Sequence, residues 1–187
     1  MTDGPDFQQA VAVLRSGGII AYPTEAVYGL GCDPDNVAAL RRLLELKQRP
    51  ESKGMLVVAH SFELVRPYLD LARVPEADLD YAASLWPGFC TLVFPASDRV
   101  SPALRGSHDT LAVRISAHPS IAEICSRLGR PLVSTSANLS GGEPCRDAAS
   151  ARRIFDAGVD YVVAGECLGY DRPSTIIDLR TRKVLRK

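Results

Sequence analysis

Short apolar runs that alternate with amphipathic stretches of helical period constrain this chain more than any other feature. Phe7, Ala10, Val11 and Leu14 share one helical face, and Gly17-Gly18 can close that helix. Residues 19–22, IIAY, then read as a buried strand that Pro23 stops. The polar, glycine-containing stretch up to Cys32 reads as a loop. It leads to Asp33, Asp35 and Asn36 as candidate caps of a helix reaching about Lys47, whose buried face is Val37, Leu40, Leu43 and Leu44. Further strands are predicted at residues 55–59, 90–94, 110–115, 131–136 and 161–164, and helices near 62–68, 75–85, 120–128 and 148–155. Pro75 suits a first helical turn, and Gly129 a helix end. Residues 174–180 and 183–186 are close enough to form a terminal hairpin across Thr181-Arg182. Strands interleaved with helices and closed by a hairpin predict an α/β fold on a mixed sheet with flanking helices, not an all-parallel one. With no repeat or linker, residues 1–187 are expected to form a single domain.

Composition removes several functional classes. There are 22 basic and 22 acidic residues, so no global field draws the chain onto nucleic acid or an anionic membrane, and any basic site must be local. The N-terminal stretch lacks the pattern of a secretory signal, and no run approaches the roughly 20 apolar residues that span a bilayer, so a cytoplasmic location is expected. Five cysteines, none in a CxxC, read as reduced thiols. His60, His108 and His118 lack metal-ligand spacing. Neither GxxxxGK[ST] nor GxGxxG occurs, and no serine sits in GxSxG.

Four polar segments border predicted strands or helices: PTEAVYGLG at Pro23, KQRPESKG at Lys47, the end of the strand carrying Arg114, and STSANLSGG at Ser134. Loops at strand ends are where α/β proteins gather ligand-binding groups, so a common crevice is expected. Lys47, Arg49 and Lys53 would bring cations to it, although a basic pair also suits a helix C-terminus. Ser134, Thr135, Ser136 and Ser140 hydroxyls, the Asn138 amide and the Gly141-Gly142 backbone offer donors that could surround phosphate oxygens, or an ordinary turn.

PTEAVYGLG, LKQRP, WPG followed by CTLVF, DTLAVR with the later HP, PLVSTSANLSG and PSTIID, in this order, resemble the YrdC-like family of threonylcarbamoyl-adenylate synthases over nearly the whole chain, its short single-domain bacterial members above all. The resemblance implies a twisted α/β fold with a deep basic cavity. It also implies a nucleotidyltransferase that forms threonylcarbamoyl-AMP and pyrophosphate from L-threonine, bicarbonate and ATP, serving the threonylcarbamoyladenosine modification at tRNA position 37. Mg²⁺ is implied as the companion of ATP, with no protein metal ligands assigned. tRNA and downstream threonylcarbamoyl-transfer proteins are implied as further partners, and a membrane is not. Carried over by motif, Thr24, Thr110, Ser134 and Ser174 would contact L-threonine. Lys47, Arg49, Lys53, Ser136, Asn138 and Arg186 would hold ATP, and Lys47, Arg49 and Arg114 would be the catalytic cations.

Elementary chemistry agrees with such roles. A carbamate is already an oxyanion, so its attack on phosphorus needs cations to screen anion from anion, not a serine or cysteine nucleophile. Arg49 can grip phosphate through two bonds, and Lys47 is expected to act as a mobile point charge. Glu25 could orient a cation or the amine, or be a solvated carboxylate. The chain departs from the usual family pattern at Ala26, where a second threonine is common, and at Phe89-Cys90, where Pro-Leu is usual. Two rival readings stay open: an RNA-binding module without chemistry, which the 6 % aromatic content argues against, and a carbamoyl-transferring relative with another acceptor.

Overall fold

A computed structural model describes residues 6–139 and 141–187; residues 1–5, part of the stretch read for a signal, and Ser140 lie outside them. Asp6 caps α1 (Phe7–Arg15) by accepting the Gln9 N–H at 2.9 Å, and Ala10, Val11 and Leu14 are its buried face, as their spacing predicts. β1 (Ile20–Pro23) follows, fully buried. Of the three candidate caps for α2 (Val37–Leu46), Asn36 is the one used, accepting the Ala39 N–H at 3.0 Å. Asp33 and Asp35 instead pair with Arg130 at 2.9 Å and Arg99 at 2.5 Å. Leu40, Leu43 and Leu44 are buried, but Val37, at the first turn, faces solvent.

The main departure from the sequence reading lies at residues 28–31. Expected as loop, they form β2 (Tyr28–Gly31), antiparallel to β1 and buried along its length. The glycines that suggest a loop serve close backbone approach instead. A Cβ at Gly31 would lie 2.4 Å from the Val133 carbonyl oxygen and 2.9 Å from the Tyr22 ring.

Later elements are β3 (Leu56–Ala59), α3 (Phe62–Val65), α4 (Glu76–Leu85), β4 (Cys90–Pro95), α5 (Pro102–Arg105), β5 (Thr110–Ile115), α6 (Pro119–Leu128), β6 (Leu132–Ser136), α7 (Ala148–Phe155), β7 (Tyr161–Val162), β8 (Thr175–Asp178) and β9 (Val184–Arg186). The helix expected over 62–68 is cut short, because Pro67 cannot supply an N–H and residues 66–68 tighten into a 3₁₀ turn. Pro75 caps α4 from outside and does not occupy its first turn. α5, which no periodicity announces in so short a segment, starts where Ser101 accepts the Ala103 N–H and Pro102 sets φ.

Among the described residues the strands form one nine-stranded mixed sheet in the order β7-β1-β2-β6-β3-β5-β4-β8-β9. β1 with β7, β3 with β5 and β4 with β8 run parallel; the other neighbours run antiparallel. The terminal hairpin is β8–β9, and its turn places Arg182 at a φ of 59°. α6 packs on β3 and α1, and α7 packs on β1. The mixed α/β sheet with flanking helices is therefore the architecture expected. β6 sits between β2 and β3, so its end carries Ser134 and Ser136 into the middle of the sheet edge where the polar segments meet.

α6 is capped by an unusual residue. His118 Nδ1 accepts the Ser120 N–H at 3.1 Å, which requires a neutral ring whose Nε2 proton points to the Glu166 carbonyl at 3.2 Å. Burial holds its pKa below the ordinary 6.5, partly opposed by the Glu166 carbonyl. A lowered folded-state pKa means the cap's stability is full above the unfolded value and is lost as pH falls through the folded one. His118→Asn keeps a cap acceptor without the titration. The urea midpoint of the parent should fall more steeply than that of the variant between about pH 7 and 5; parallel profiles would exclude this account. For β2, Gly31→Ala should destabilise by about 1–3 kcal/mol in urea unfolding, because the obstacle is the Val133 backbone and cannot rotate away. An unchanged midpoint would show that the strands can part without cost.

Candidate functional site

The polar segments meet at a cavity of about 680 Å³ lined from the β1–β2 turn, the segment after α2, β5, the end of β6 and the approach to β8. Its wall carries Arg49, Lys53, Arg105, Arg114, Arg146, Arg172 and Arg186 against Glu143 and Asp171. Cations thus outnumber acids at this one place in a chain without net charge. Such a hollow attracts anions by its local field.

Each cation is placed by a local device. α2 ends at Lys47, and Arg49 follows where Pro50 forbids further helix. Arg49 Nε donates to the Gly54 carbonyl at 3.0 Å, which orients the guanidinium in the wall. Lys53 ends the 3₁₀ turn Glu51–Lys53 and is exposed at the cavity. Arg114 lies on β5, paired in register with Val58 of β3. Arg186, on β9, donates to the Ser174 carbonyl at 3.0 Å. Burial pulls the pKa of Arg49 below its usual range. Burial first, then Arg114 and Arg49, do the same to Arg186, so Arg186 lies in the field of the other two guanidinium groups.

Lys47 behaves otherwise than expected. It is 5 % exposed and is not among the lining side chains. Its ammonium donates to the Ser136 carbonyl at 2.5 Å, the Asn138 carbonyl at 2.5 Å and Asn138 Oδ1 at 2.6 Å. Three protons meet three oxygens, so Lys47 is a fixed charge behind the wall and not a mobile one in it. Burial, then the nearby Arg49, lowers its pKa to about 8.

The same contacts revise the expected phosphate donors. Ser136 Oγ donates to Asn138 Oδ1 at 2.7 Å, and Asn138 Nδ2 donates to the Gly142 carbonyl at 2.7 Å. The Gly142 N–H closes a turn on Leu139. Ser136, Asn138 and Gly142 thus turn these donors back on their own segment, which Lys47 holds. Ser136 and Asn138 still line the cavity; Ser140 lies outside the described residues.

The hydroxyl residues also gather there: Thr24, Thr110, Ser134 and Ser174 all line the cavity. Thr24 Oγ1 donates to the Val27 carbonyl at 2.6 Å, closing the β1–β2 turn and leaving its lone pairs as the cavity-facing function. Ser174 Oγ is 2.9 Å from Thr91 Oγ1, in a buried pair at the cavity's edge. Glu25, between two lining residues, is buried 3.2 Å from Arg114.

The sequence reading did not single out Arg105, Arg146 and Arg172, which are isolated arginines in segments without a motif. Phe89 had a signal, as a departure after Trp86-Pro87-Gly88. It lines the cavity, with its ring 5.6 Å from the Arg114 guanidinium and 4.6 Å from the Tyr170 ring. His108 also lines the cavity, whereas His60 faces Ser126 and His118 is the cap. The cysteines are unpaired thiols, and burial pushes Cys32 and Cys125 up to about 12, so neither is a nucleophile at neutral pH.

Comparison with known proteins gives relatives along the whole chain. A threonylcarbamoyl-AMP synthase of Vibrio campbellii is 42 % identical over 97 % of this chain and 98 % of its own length. One of Xanthomonas axonopodis pv. citri is 48 % identical over 100 % of both. Among solved structures, P. abyssi Sua5 complexed with L-threonine superposes with a TM-score of 0.83 at 33 % identity, covering 92 % of this chain, which spans about half (50 %) of that longer one. E. coli YciO superposes with a TM-score of 0.85 at 26 % identity over 98 % of this chain and 92 % of its own. The Sua5/YciO/YrdC family model, described as "Telomere recombination", matches residues 12–187, and the chain belongs to that family.

Proposed function

We propose that this protein is a threonylcarbamoyl-AMP synthase: L-threonine, bicarbonate and ATP give threonylcarbamoyl-AMP, pyrophosphate and water. The observation that carries the reading is the meeting of Arg49, Arg114 and Arg186 in one hollow together with four hydroxyl side chains. Full-length relatives that bear this name support it.

The chemistry asks for little beyond placement. The amine of threonine adds to the carbon of bicarbonate, water leaves, and a carbamate oxyanion results. That oxygen forms a bond to the α-phosphorus of ATP as the bond to the pyrophosphate oxygen breaks. Both partners are anionic, so screening and alignment set the barrier. In this reading Arg114 receives the threonine carboxylate, and Thr24, Thr110, Ser134 and Ser174 surround its hydroxyl and amine. A site that hydrogen-bonds the substrate hydroxyl discriminates strongly against analogues lacking it. Arg49, Lys53 and Arg186 face the triphosphate, the 136–138 segment borders it, and Lys47 fixes that segment from behind.

Mg²⁺ enters this reading as part of the ATP substrate. Among the described residues no three His, Cys, Asp or Glu gather as a metal cage. The cavity's cations and hydroxyls suit a magnesium ion held by phosphate oxygens, where it would neutralise charge on them. The product then serves the threonylcarbamoyladenosine modification at tRNA position 37, handed to a transfer protein. Among the described residues no helix is long and apolar enough to cross a membrane, which accords with a cytoplasmic setting.

The purified protein should release pyrophosphate from MgATP only when L-threonine and bicarbonate are both present. Release that continues without threonine would favour a carbamoyl-transferring relative with another acceptor, and salt-dependent RNA binding without ATP consumption would favour a binding module. Lys47→Ala and Arg49→Ala should each lower kcat/KM for ATP by about 10² or more. For Arg49→Ala the loss should reside in ATP and leave the KM for threonine near that of the parent. A variant within about tenfold of the parent would show that the residue neither contacts the phosphates nor fixes the segment beside them.

A further inference from the structure

We infer that Glu25 is the positioning residue that aims Arg114 at its ligand; this deepens the reading above and rests on Arg114 receiving the threonine carboxylate. Glu25 is 5 % exposed and does not line the cavity, although its neighbours Thr24 and Ala26 both do. It is therefore set back from the cavity wall against Arg114, and it is not placed to take the substrate amine.

The carboxylate is held from both ends. Its Oε1 accepts the Ser116 hydroxyl proton at 2.7 Å. The Ser116 oxygen in turn accepts the His118 N–H at 3.0 Å, so that hydroxyl is engaged both as donor and as acceptor. The Glu25 carbonyl accepts the Tyr170 N–H. Its Oε2 lies 3.2 Å from an Arg114 terminal nitrogen, and both side chains are more than nine-tenths buried. Neither Oε2 nor Arg114 Nε makes a hydrogen bond, so a charge contact, not a two-bond fork, orients the guanidinium. Phe89 approaches the same guanidinium at 5.6 Å.

Arg114 needs such an anchor. It shares its field with Arg186, and that field also contains Arg49. A long side chain pushed by like charges would swing away from the wall before any anion arrives. A buried carboxylate behind it offsets the repulsion and fixes the direction, which is the condition for a preorganised site. Glu25 thus acts through Arg114 and never touches substrate.

The test compares Glu25→Gln, Glu25→Asp, Ser116→Ala, Arg114→Ala and Glu25→Gln/Arg114→Ala by calorimetric threonine binding and by KM for each substrate. Glu25→Gln keeps the shape and removes the charge. It should weaken threonine binding about tenfold or more while KM for ATP changes less than about threefold. Glu25→Asp should recover part of that loss. Ser116→Ala, which leaves both charges in place, should give a smaller weakening of the same kind, so the inference stays open to test even if Glu25→Gln folds poorly. The double variant should bind threonine no worse than Arg114→Ala alone. Arg114→Ala with parental threonine affinity would overturn the placing of the substrate and this inference with it. Loss in Arg114→Ala but none in Glu25→Gln, equal losses for both substrates, or additive losses in the double variant would overturn the role of Glu25 alone.

Discussion

Like charges held together before any ligand arrives are the constraint on which this structure depends. Burial first, and then Arg114 and Arg49, lower the hold of Arg186 on its proton, and the chain must keep the three guanidinium groups from dispersing. Each is restrained by a different oxygen: the Gly54 carbonyl for Arg49, the Glu25 carboxylate for Arg114, the Ser174 carbonyl for Arg186. Two of the three restraints are neutral dipoles. A carbonyl orients a guanidinium without cancelling its charge, so the field in the hollow survives the anchoring. Only Arg114, the most deeply buried of them, has a full negative charge at its back.

The Lys47 ammonium follows the same logic one layer further out. Placed in the wall it would add a further repelling cation, and placed behind it on three oxygens it becomes a staple that fixes the segment after β6. The staple joins the end of α2 to a loop far along the chain. That join explains why Lys47 and Arg49, two residues apart, take such different positions: the turn before Pro50 directs one side chain inward and the other to the hollow. An ammonium with all its protons matched rigidifies its neighbours more than it binds a mobile ligand.

Much of this was legible in residue order, and the rest for physical reasons was not. Apolar spacing located α1, α2, α6 and most strands because their faces are set by burial within the element itself. It failed at residues 28–31, where glycines serve a neighbouring strand's backbone, and at Val37, whose place at the end of α2 leaves it beyond the core. The motif segments identified which side chains would gather but not what each would face. Whether Lys47 meets a ligand or Asn138 depends on a loop that only the sheet brings near. The cations Arg105, Arg146 and Arg172 carry no local signal at all, since a lone arginine in a polar loop looks the same beside a cavity as beside water.

The departures at Ala26 and Phe89 acquire a meaning from their surroundings. Ala26 is buried in the wall, and where a threonine would present a hydroxyl it presents only a methyl group. Phe89 does the opposite and adds surface. Its position is set from behind: Trp86 stacks on Phe94 with ring centres 5.7 Å apart, and its Nε1 donates to the Cys90 carbonyl at 2.8 Å, so the turn that bears Phe89 is pinned to β4. From that fixed base the ring reaches Tyr170 on one side and the Arg114 guanidinium on the other. A proline there could touch neither as an aromatic face does. The wall thus presents a methyl group at one point and an aromatic ring at another, beside cations that come from other segments. The ring therefore shapes the wall beside Arg114 without altering its charge, so that shape and charge at this point of the hollow are set by separate residues.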